Sequence, residues 1–213
     1  MSPRIFTPLD RFIGEIDRAI NVLWSPARSA RPLPEAAGGD WAPSEADRLE
    51  SSRLMRVNHA GEVAAQALYR GQALTAQQGA TAGAMLKAAA EEIDHLAWCE
   101  ERLKELRGRT SWLNPVWYAG SFAIGAVAGM LGDRTSLGFI SETERQVESH
   151  LKGHLERLPA ADKRSRAIVE QMTHDEMRHG AHAASLGGTE LPAWCRGAMR
   201  LTSKVMTRTS YWL

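Results

Sequence analysis

The sequence predicts an all-α protein, built as a four-helix bundle with a long apolar crossover helix and extra amphipathic helices. Apolar residues recur at intervals of three and four along most of the chain, which is the period of an amphipathic helix. No segment shows the sustained alternation of apolar and polar residues that a half-buried strand needs. Short turns join the long helical segments in two pairs, and one long central connection links the pairs. This order is typical of a bundle with one crossover.

The composition excludes several classes of protein. The chain has 213 residues, with 26 Lys+Arg against 25 Asp+Glu, so no excess of positive charge points to nucleic acid as a partner. With 44% hydrophobic residues, it is too apolar for intrinsic disorder. Cys99 and Cys195 are too few for a disulfide framework and are expected to be buried in a reducing compartment. The first residues lack the apolar core of a signal peptide, so we expect an intracellular protein.

The chain divides into two parts, residues 1–44 and the bundle domain of residues 45–213. Residues 8–24 repeat apolar positions at three and four and predict a short amphipathic helix. Residues 25–44 contain four prolines and two glycines, which predicts a linker without helix or strand.

Four long helices are predicted in the second part. Ser44 is a candidate N-cap for the first helix, and Gly79 is a stop signal after it. Pro159 separates the third helix from the fourth, and the fourth ends before Gly187. The predicted helices cover residues 44–78, 80–108, 136–158 and 160–186.

Polar residues on the apolar stripes of these helices carry the chemistry. At about 100° per residue, Glu92 falls on the stripe of the second helix, and His95 lies at its edge one turn later. Glu176 and His179 fall on the stripe of the fourth helix in the same way. Both helices therefore direct a Glu-x-x-His pair, EIDH in one and EMRH in the other, toward the interior of the bundle.

Two further glutamates complete a degenerate repeat. Glu144 lies within the apolar stripe of the third helix, whereas Glu62 lies at the side of the stripe of the first. Glu62 precedes Glu92 by 30 residues, and Glu144 precedes Glu176 by 32. We interpret the chain as a tandem repeat of Glu…Glu-x-x-His. The predicted inward set is Glu62, Glu92, His95, Glu144, Glu176 and His179.

The burial of these four glutamates and two histidines requires cations that balance the charge of the carboxylates. An ionised carboxylate inside a bundle is costly unless it is paired, and no Lys or Arg lies in register with the six residues. Two divalent ions would balance four carboxylates and two neutral imidazoles. Each Glu-x-x-His pair can ligate one ion, while the lone glutamates bridge the ions or cap them. Mixed oxygen and nitrogen donors favour iron or manganese over zinc, and the arrangement matches the ferritin-like di-iron pattern.

Other polar residues near this set have two interpretations each. Asp94 and Asp175 flank the ligand histidines and either orient them by hydrogen bonds or are solvated carboxylates. His150 and His154 lie at the edge of the inner face of the third helix. They are predicted either to contact the metal ligands or to be satisfied histidines of the core.

Four segments of the chain resemble the demethoxyubiquinone hydroxylases of ubiquinone biosynthesis. They are RVNHAGE (56–62), EEIDHL (91–96), ETERQVESH (142–150) and DEMRH (175–179). The resemblance covers about residues 50–213, and RVNHAGE is its most specific segment. It implies a ferritin-like di-iron monooxygenase that holds two iron ions per chain at the six positions named above. Residues 1–44 lie outside the resemblance.

The resemblance also implies an activity. The expected reaction is hydroxylation of the ring of a polyprenyl demethoxyubiquinol, with O2 as the oxygen source and NADH as the reductant. The chain has no GxGxxG motif after a strand, so a Rossmann site for NADH is not supported. Homo-oligomers and complexes with other ubiquinone-biosynthesis enzymes are further expectations. Two alternatives stay open: a ferritin-like iron redox or storage protein, and a non-enzymatic helical protein that binds prenylquinones.

Residues 110–132 carry no charge over 23 positions, which is long enough for a transmembrane helix. A single crossing would place the two halves of the metal site on opposite sides of the bilayer, so we reject it. The segment is expected to lie in the membrane interface, with Trp112 and Trp117 at headgroup depth, or to be a buried crossover.

The C-terminal segment, residues 191–213, predicts a basic amphipathic helix at the membrane surface. Arg196, Arg200, Lys204 and Arg208 recur every four residues, with aromatic and aliphatic residues between them. The alternative is a helix that caps the bundle and has a solvated basic face. Together with the crossover, the segment predicts peripheral attachment at the cytoplasmic face of the inner cell membrane.

Overall fold

A computed structural model describes residues 7–36 and 41–213, and helices are the regular elements in those two ranges. The all-α prediction is confirmed. The helices in chain order are α1 Pro8–Trp24, α2 Glu45–Thr75, α3 Gly79–Glu105, α4 Asn114–Met130, α5 Asp133–Arg157, α6 Lys163–Ser185 and α7 Ala193–Trp212. The predicted linker includes residues 37–40, which lie outside the described residues, and its described residues form no helix.

Side-chain hydrogen bonds to backbone N–H groups cap α2 and hold the turn between α2 and α3. The Ser44 hydroxyl accepts the backbone N–H of Asp47 at 3.1 Å and caps α2, as predicted. Helix α5 begins at Asp133 rather than at residue 136. The carboxylate of Asp133 accepts the backbone N–H groups of Gln77 and Gln78 at 2.9 and 3.0 Å. These bonds tie the turn between α2 and α3 to the start of α5.

The bundle consists of α2, α3, α5 and α6, and its closest pairs are α2 with α3 and α5 with α6. The predicted apolar stripes form its core. Leu103, Leu151 and Met172, which come from three different helices, are buried in one apolar cluster. Met85 and Ile140 belong to a second cluster. The helices thus meet along the faces that the periodicity of the sequence predicted.

Helix α4 connects the two pairs and packs closely on α2. Glycine permits this approach, because a Cβ on Gly125 would overlap the backbone carbonyl oxygen of Leu68. The opposite face of α4 is apolar and open, with Val116 59% and Val127 53% exposed. Among the described helices, none combines the length and apolarity that a membrane span requires.

Helices α1 and α7 lie against the outside of the bundle. Glu15 of α1 and Arg70 of α2 form a two-pronged ion pair with both distances at 2.6 Å. Helix α7 packs on α2 and α5. Its C-terminal end meets the start of α4, where the Trp117 indole N–H donates to the Ser210 hydroxyl at 3.0 Å. The faces of α4 and α7 therefore adjoin.

Candidate metal centre

The four bundle helices bring the six predicted ligands together. Helix α2 supplies Glu62, α3 supplies Glu92 and His95, α5 supplies Glu144, and α6 supplies Glu176 and His179. Five of the six are at most 3% exposed, and His179 is only slightly more open. The i, i+3 spacing places each histidine one turn after its glutamate on the same face of the helix. Even Glu62, at the side of its apolar stripe, is buried at 3% exposure.

The ligand atoms form two overlapping groups, and within each group they lie no more than 4.8 Å apart. One group contains Glu62 and His95, and the other contains Glu144 and His179. Both groups include Glu92 and Glu176. This geometry favours the Glu-x-x-His glutamates as the bridging carboxylates and the lone glutamates as caps, a choice that helical spacing alone left open.

The contacts within the centre fit metal ions better than hydrogen bonds. The Nδ1 atom of His95 lies 2.8 Å from a carboxylate oxygen of Glu92 and 3.3 Å from one of Glu176. Nevertheless this nitrogen and both carboxylate oxygens of Glu92 are buried without a hydrogen-bond partner, and so is Nδ1 of His179. Buried polar atoms are nearly always satisfied in native proteins. The lone pairs of these nitrogen and oxygen atoms point at one another without forming hydrogen bonds. Two bound cations would satisfy them.

The electrostatics of the centre lead to the same conclusion. Burial raises the pKa of Glu62 to about 8. It also raises the pKa of Glu144, where the neighbouring Glu176 adds to the effect. Burial opposes protonation of His179, but the close carboxylates of Glu176 and Glu92 outweigh it and raise the pKa of this imidazole to about 11. Without metal the centre therefore retains protons, and metal ions would displace them on binding.

Each candidate ligand histidine has a carboxylate behind it. Nε2 of His95 lies 3.0 Å from an oxygen of Asp175, and Nε2 of His179 lies 2.8 Å from an oxygen of Glu91. If each Nε2 donates its proton to the carboxylate, Nδ1 is left as the metal-binding atom. The structure thus places Asp175 where the sequence predicted an orienting group.

Asp94 takes neither of its two predicted roles, because no hydrogen bond among the described residues joins its carboxylate to a histidine and it is only 6% exposed. It accepts hydrogen bonds from the N-terminal segment instead, among them one from Arg31. Sequence reasoning missed Glu91, although the repeat contained the signal. Glu91 stands directly before Glu92 just as Asp175 stands directly before Glu176. Each of these two leading carboxylates reaches the histidine of the other repeat.

His150 is not a partner of the metal ligands. Its ring packs on that of His154, with centroids 3.9 Å apart, and Nδ1 of His154 lies 2.7 Å from the amide oxygen of Asn58. Both rings line a cavity of about 510 Å³, together with residues of α7. The structure favours the role of a satisfied core histidine for His154, whereas His150 is half-buried and its Nε2 atom has no hydrogen-bond partner.

This histidine pair should make the protein sensitive to acid. Burial, followed by the charge of Arg157, lowers the pKa of His150 from 6.5 to about 4. Burial, His150 and Arg157 lower that of His154 to about 2. Below pH 6.5 the unfolded chain therefore binds protons that the folded protein does not, and the free energy of unfolding falls as the pH falls. We expect a loss of about 1.4 kcal/mol per pH unit for each histidine down to about pH 4.

Urea unfolding of the metal-free protein at pH 7 and pH 5 tests this expectation. The double variant His150→Asn, His154→Asn keeps the other titrating groups, so their contribution cancels in the comparison. The variant should lose less stability than the wild type between the two pH values. Equal losses in both proteins would contradict the expectation.

The RVNHAGE segment supports the centre as well as supplying Glu62. Arg56 donates to the backbone carbonyl of Arg109 at 3.1 Å, and the Asn58 side chain contacts His154 on α5. His59 is 3% exposed and lies between the side chains of Asn114 and Glu100. The segment therefore connects α2 to its neighbours around the glutamate. Periodicity marked these positions only as helical.

A cavity of about 210 Å³ reaches the centre beside His179, between α3, α5 and α6. Met85, Leu137 and Ile140 form part of its wall. Lys87 and Arg178 also line the cavity. An apolar ring could enter here and meet the centre on its His179 side.

The predicted membrane-surface residues lie on α4, on α7 and in the turn before α4, and most of them are open. Trp112 is 76% exposed. Trp117 is only half-exposed, because its indole bonds to Ser210 between the two helices. Arg196 is also half-buried and pairs with Glu190. The exposed basic residues are Arg200, Lys204 and Arg208.

An all-α bundle that gathers four buried glutamates and two histidines into overlapping clusters has the architecture and the candidate ligand set typical of ferritin-like carboxylate proteins. The chain belongs to the family described as Ubiquinone biosynthesis protein COQ7, which it matches over residues 50–210. This confirms the resemblance that the four sequence segments indicated.

Several relatives are similar over nearly the whole chain. Proteins named 3-demethoxyubiquinol 3-hydroxylase from Bordetella parapertussis and Ralstonia pickettii are 58% and 57% identical to it. The first comparison covers 97% of this chain and 93% of the relative, and the second covers 95% and 99%. The protein of the same name from Nitrosospira multiformis is 53% identical over 96% of this chain and 99% of its own.

Proposed function

We propose that this chain is a di-iron monooxygenase that hydroxylates the ring of a polyprenyl demethoxyubiquinol in ubiquinone biosynthesis. The observation that carries the proposal is the pair of overlapping ligand groups that share Glu92 and Glu176. The names of the relatives, at 53–58% identity, support the substrate. The six residues that would hold two iron ions are Glu62, Glu92, His95, Glu144, Glu176 and His179.

The reaction consumes O2 and a reductant. One oxygen atom enters a C–H bond of the ring and the other leaves as water, which requires two electrons and two protons. NADH is the proposed electron source. The bound iron pair supplies the redox chemistry that activates O2.

The chain itself positions these components. Asp175 and Glu91 hold the two imidazoles with Nδ1 toward the centre. The apolar wall of the cavity beside His179 receives the quinol ring and keeps water away from it. The prenyl tail leaves through the mouth of this cavity, since about 210 Å³ accommodates a ring and not a long chain.

The first experiment measures iron per chain after purification without chelators, followed by hydroxylation in the presence of NADH and ¹⁸O2. About two irons per chain and one labelled oxygen in the product support the proposal. Iron far above two per chain, without hydroxylation, would favour storage. A chain that stays free of metal after anaerobic reconstitution with ferrous iron would favour the non-enzymatic prenylquinone-binding protein.

We further propose that the protein attaches peripherally to the cytoplasmic face of the inner membrane through α4 and α7. The open face of α4 is apolar, and Trp194, Leu201 and Trp212 of α7 are 76%, 66% and 60% exposed. Exposed cations stand on the same helix. Apolar and aromatic residues beside a basic stripe are suited to an anionic lipid surface.

Substitution of the four basic residues of α7 by glutamine should weaken binding to vesicles that contain phosphatidylglycerol. Each charge near an anionic surface contributes about 1 kcal/mol, so the quadruple variant should bind about 100-fold or more weakly. The residues are Arg196, Arg200, Lys204 and Arg208. Vesicle co-sedimentation measures the effect.

A control variant changes the net charge equally at four exposed cations on other helices. They are Lys87, Arg134, Lys163 and Arg164. This variant should keep most of its vesicle binding. If both variants bind equally weakly, net charge and not the face of α7 determines the attachment.

A further inference from the structure

The N-terminal segment ahead of the bundle lies directly on α3. Residues 29–31, which we call the strap, surround the carboxylate of Asp94. The Ser29 hydroxyl and the Ala30 backbone N–H donate to one of its oxygens at 2.8 and 2.7 Å. Nε of Arg31 donates to the other oxygen at 2.6 Å. Asp94 is only 6% exposed, so these bonds fix the strap at a defined place on α3.

The Arg31 guanidinium also reaches the centre. Its Nη1 atom lies 2.8 Å from one oxygen of Asp175, and the same oxygen lies 3.0 Å from Nε2 of His95. Gln171 and Arg178 bind the other oxygen of Asp175, and both belong to the same helix as the aspartate. Arg31 is thus the group that connects Asp175 of α6 to Asp94 of α3.

An aromatic ring completes this connection. The Arg31 guanidinium lies 4.6 Å from the centroid of the Trp98 ring, and that ring lies 5.4 Å from the ring of His95. Trp98 is 2% exposed, so it has little room to move. The guanidinium therefore borders His95 by two routes, through the Asp175 carboxylate and through the Trp98 ring. An ion pair on the protein surface would lack both of these contacts with the surroundings of His95.

We propose that Arg31 is a positioning residue for one of the two metal ions. The strap holds Asp175 at Nε2 of His95, so that Nδ1 of this imidazole is directed toward the ion bounded by Glu62, Glu92 and Glu176. The inference rests on the proposed metal centre. It gives a role to a segment that lies ahead of the residues matched by the family, which begin at residue 50.

The two histidines of the centre are supported differently, because the strap contacts only the carboxylate behind His95. The histidine of the other half, His179, is held by Glu91, whose side chain is 41% exposed. The cation beside Glu91 is Lys87 of the same helix, at 3.8 Å. In the described part of the chain, the strap bonds to Asp94 and Asp175 and not to Glu91 or His179. Loss of Arg31 should therefore weaken one ion and spare the other, which a general loss of stability would not do.

The test is a Co²⁺ titration of the full-length protein, followed by visible absorption under competition with a chelator. The wild type should bind two ions. In Arg31→Gln, one ion should bind about 10–100-fold more weakly while the other keeps its affinity. Arg31→Lys restores a positive charge without the planar fork, and should fall between the two. Mössbauer spectra of the ⁵⁷Fe²⁺-loaded proteins should show a change confined to one of two iron environments.

Two further variants serve as controls. Arg70→Gln breaks the ion pair with Glu15, which also anchors the N-terminal part but lies away from the centre, and should leave both ions unchanged. Glu91→Gln should affect the iron environment that Arg31→Gln leaves unchanged. Circular dichroism and the melting temperature of the metal-free proteins establish that each variant is folded.

Equal weakening of both ions in Arg31→Gln, or no weakening, would overturn the role of the strap. If Arg31→Gln is unfolded, the same comparison with Arg31→Lys decides the question. A wild type that binds no metal would overturn the metal centre and the strap together. A wild type that shows the site-selective pattern but hydroxylates no quinol would leave the strap in place and refute the proposed activity alone.

Discussion

Replacement of Glu92 by glutamine is expected to weaken both metal ions at once and to lower quinol hydroxylation by more than about 100-fold. Loss of a group that merely orients a ligand already costs about 10–100-fold, and Glu92 offers oxygen atoms to both ligand groups. Glutamine keeps the shape of the side chain but cannot supply an anionic bridge. Iron per chain and initial rates measure the two effects.

Comparison with a capping residue makes this prediction sharper. Glu62 belongs to one ligand group only, so Glu62→Gln should weaken one ion and retain the other. Added Co²⁺ should raise the melting temperature of the wild type and of Glu62→Gln, but much less that of Glu92→Gln. Glu101→Gln, on the exposed side of the same helix, is the matched control and should behave as the wild type. Two tightly bound ions in Glu92→Gln would refute the bridging role.

Replacement of Gly125 by leucine is expected to separate α4 from α2 and to destabilise the protein by about 3 kcal/mol or more. A side chain at this position would meet backbone atoms of Leu68, which have no rotamer to change. Gly71 and Gly129 line the same contact, so the neighbouring positions offer no space either. For a chain of this size the melting temperature should fall by about 6–12 °C.

The matched control is Gly120→Ala on the same helix, where an added Cβ meets nothing within 4 Å. Alanine favours a helix over glycine by up to about 1 kcal/mol, so this variant should be slightly more stable than the wild type. Thermal unfolding followed by circular dichroism compares the two. A stable Gly125→Leu protein would mean that α4 does not depend on its contact with α2.

Much of the fold and of the centre could be predicted from local patterns. The spacing of apolar residues located the bundle helices, and the polar residues on their stripes identified the six candidate ligands that the structure brings together. The start of α5 at Asp133 was missed, and so was the contact of its carboxylate with the α2–α3 turn, which joins residues far apart in the chain. The role of Asp94 was missed for a similar reason, since its partner Arg31 lies far away in the sequence, and the packing of His150 on His154 decided between two roles that the sequence left open.

The sequence by itself determined which faces of the helices are buried and which polar residues stand on those faces, because both follow from the 3.6-residue period of a single helix. Only the tertiary structure decided that Glu92 and Glu176 are shared between the ligand groups and that Glu91 supports His179. It also decided that the strap reaches His95 through Asp175. These contacts depend on how far each helix is shifted and rotated against its neighbours. Ridge-and-groove packing and side-chain volume set that geometry, and no local period encodes it.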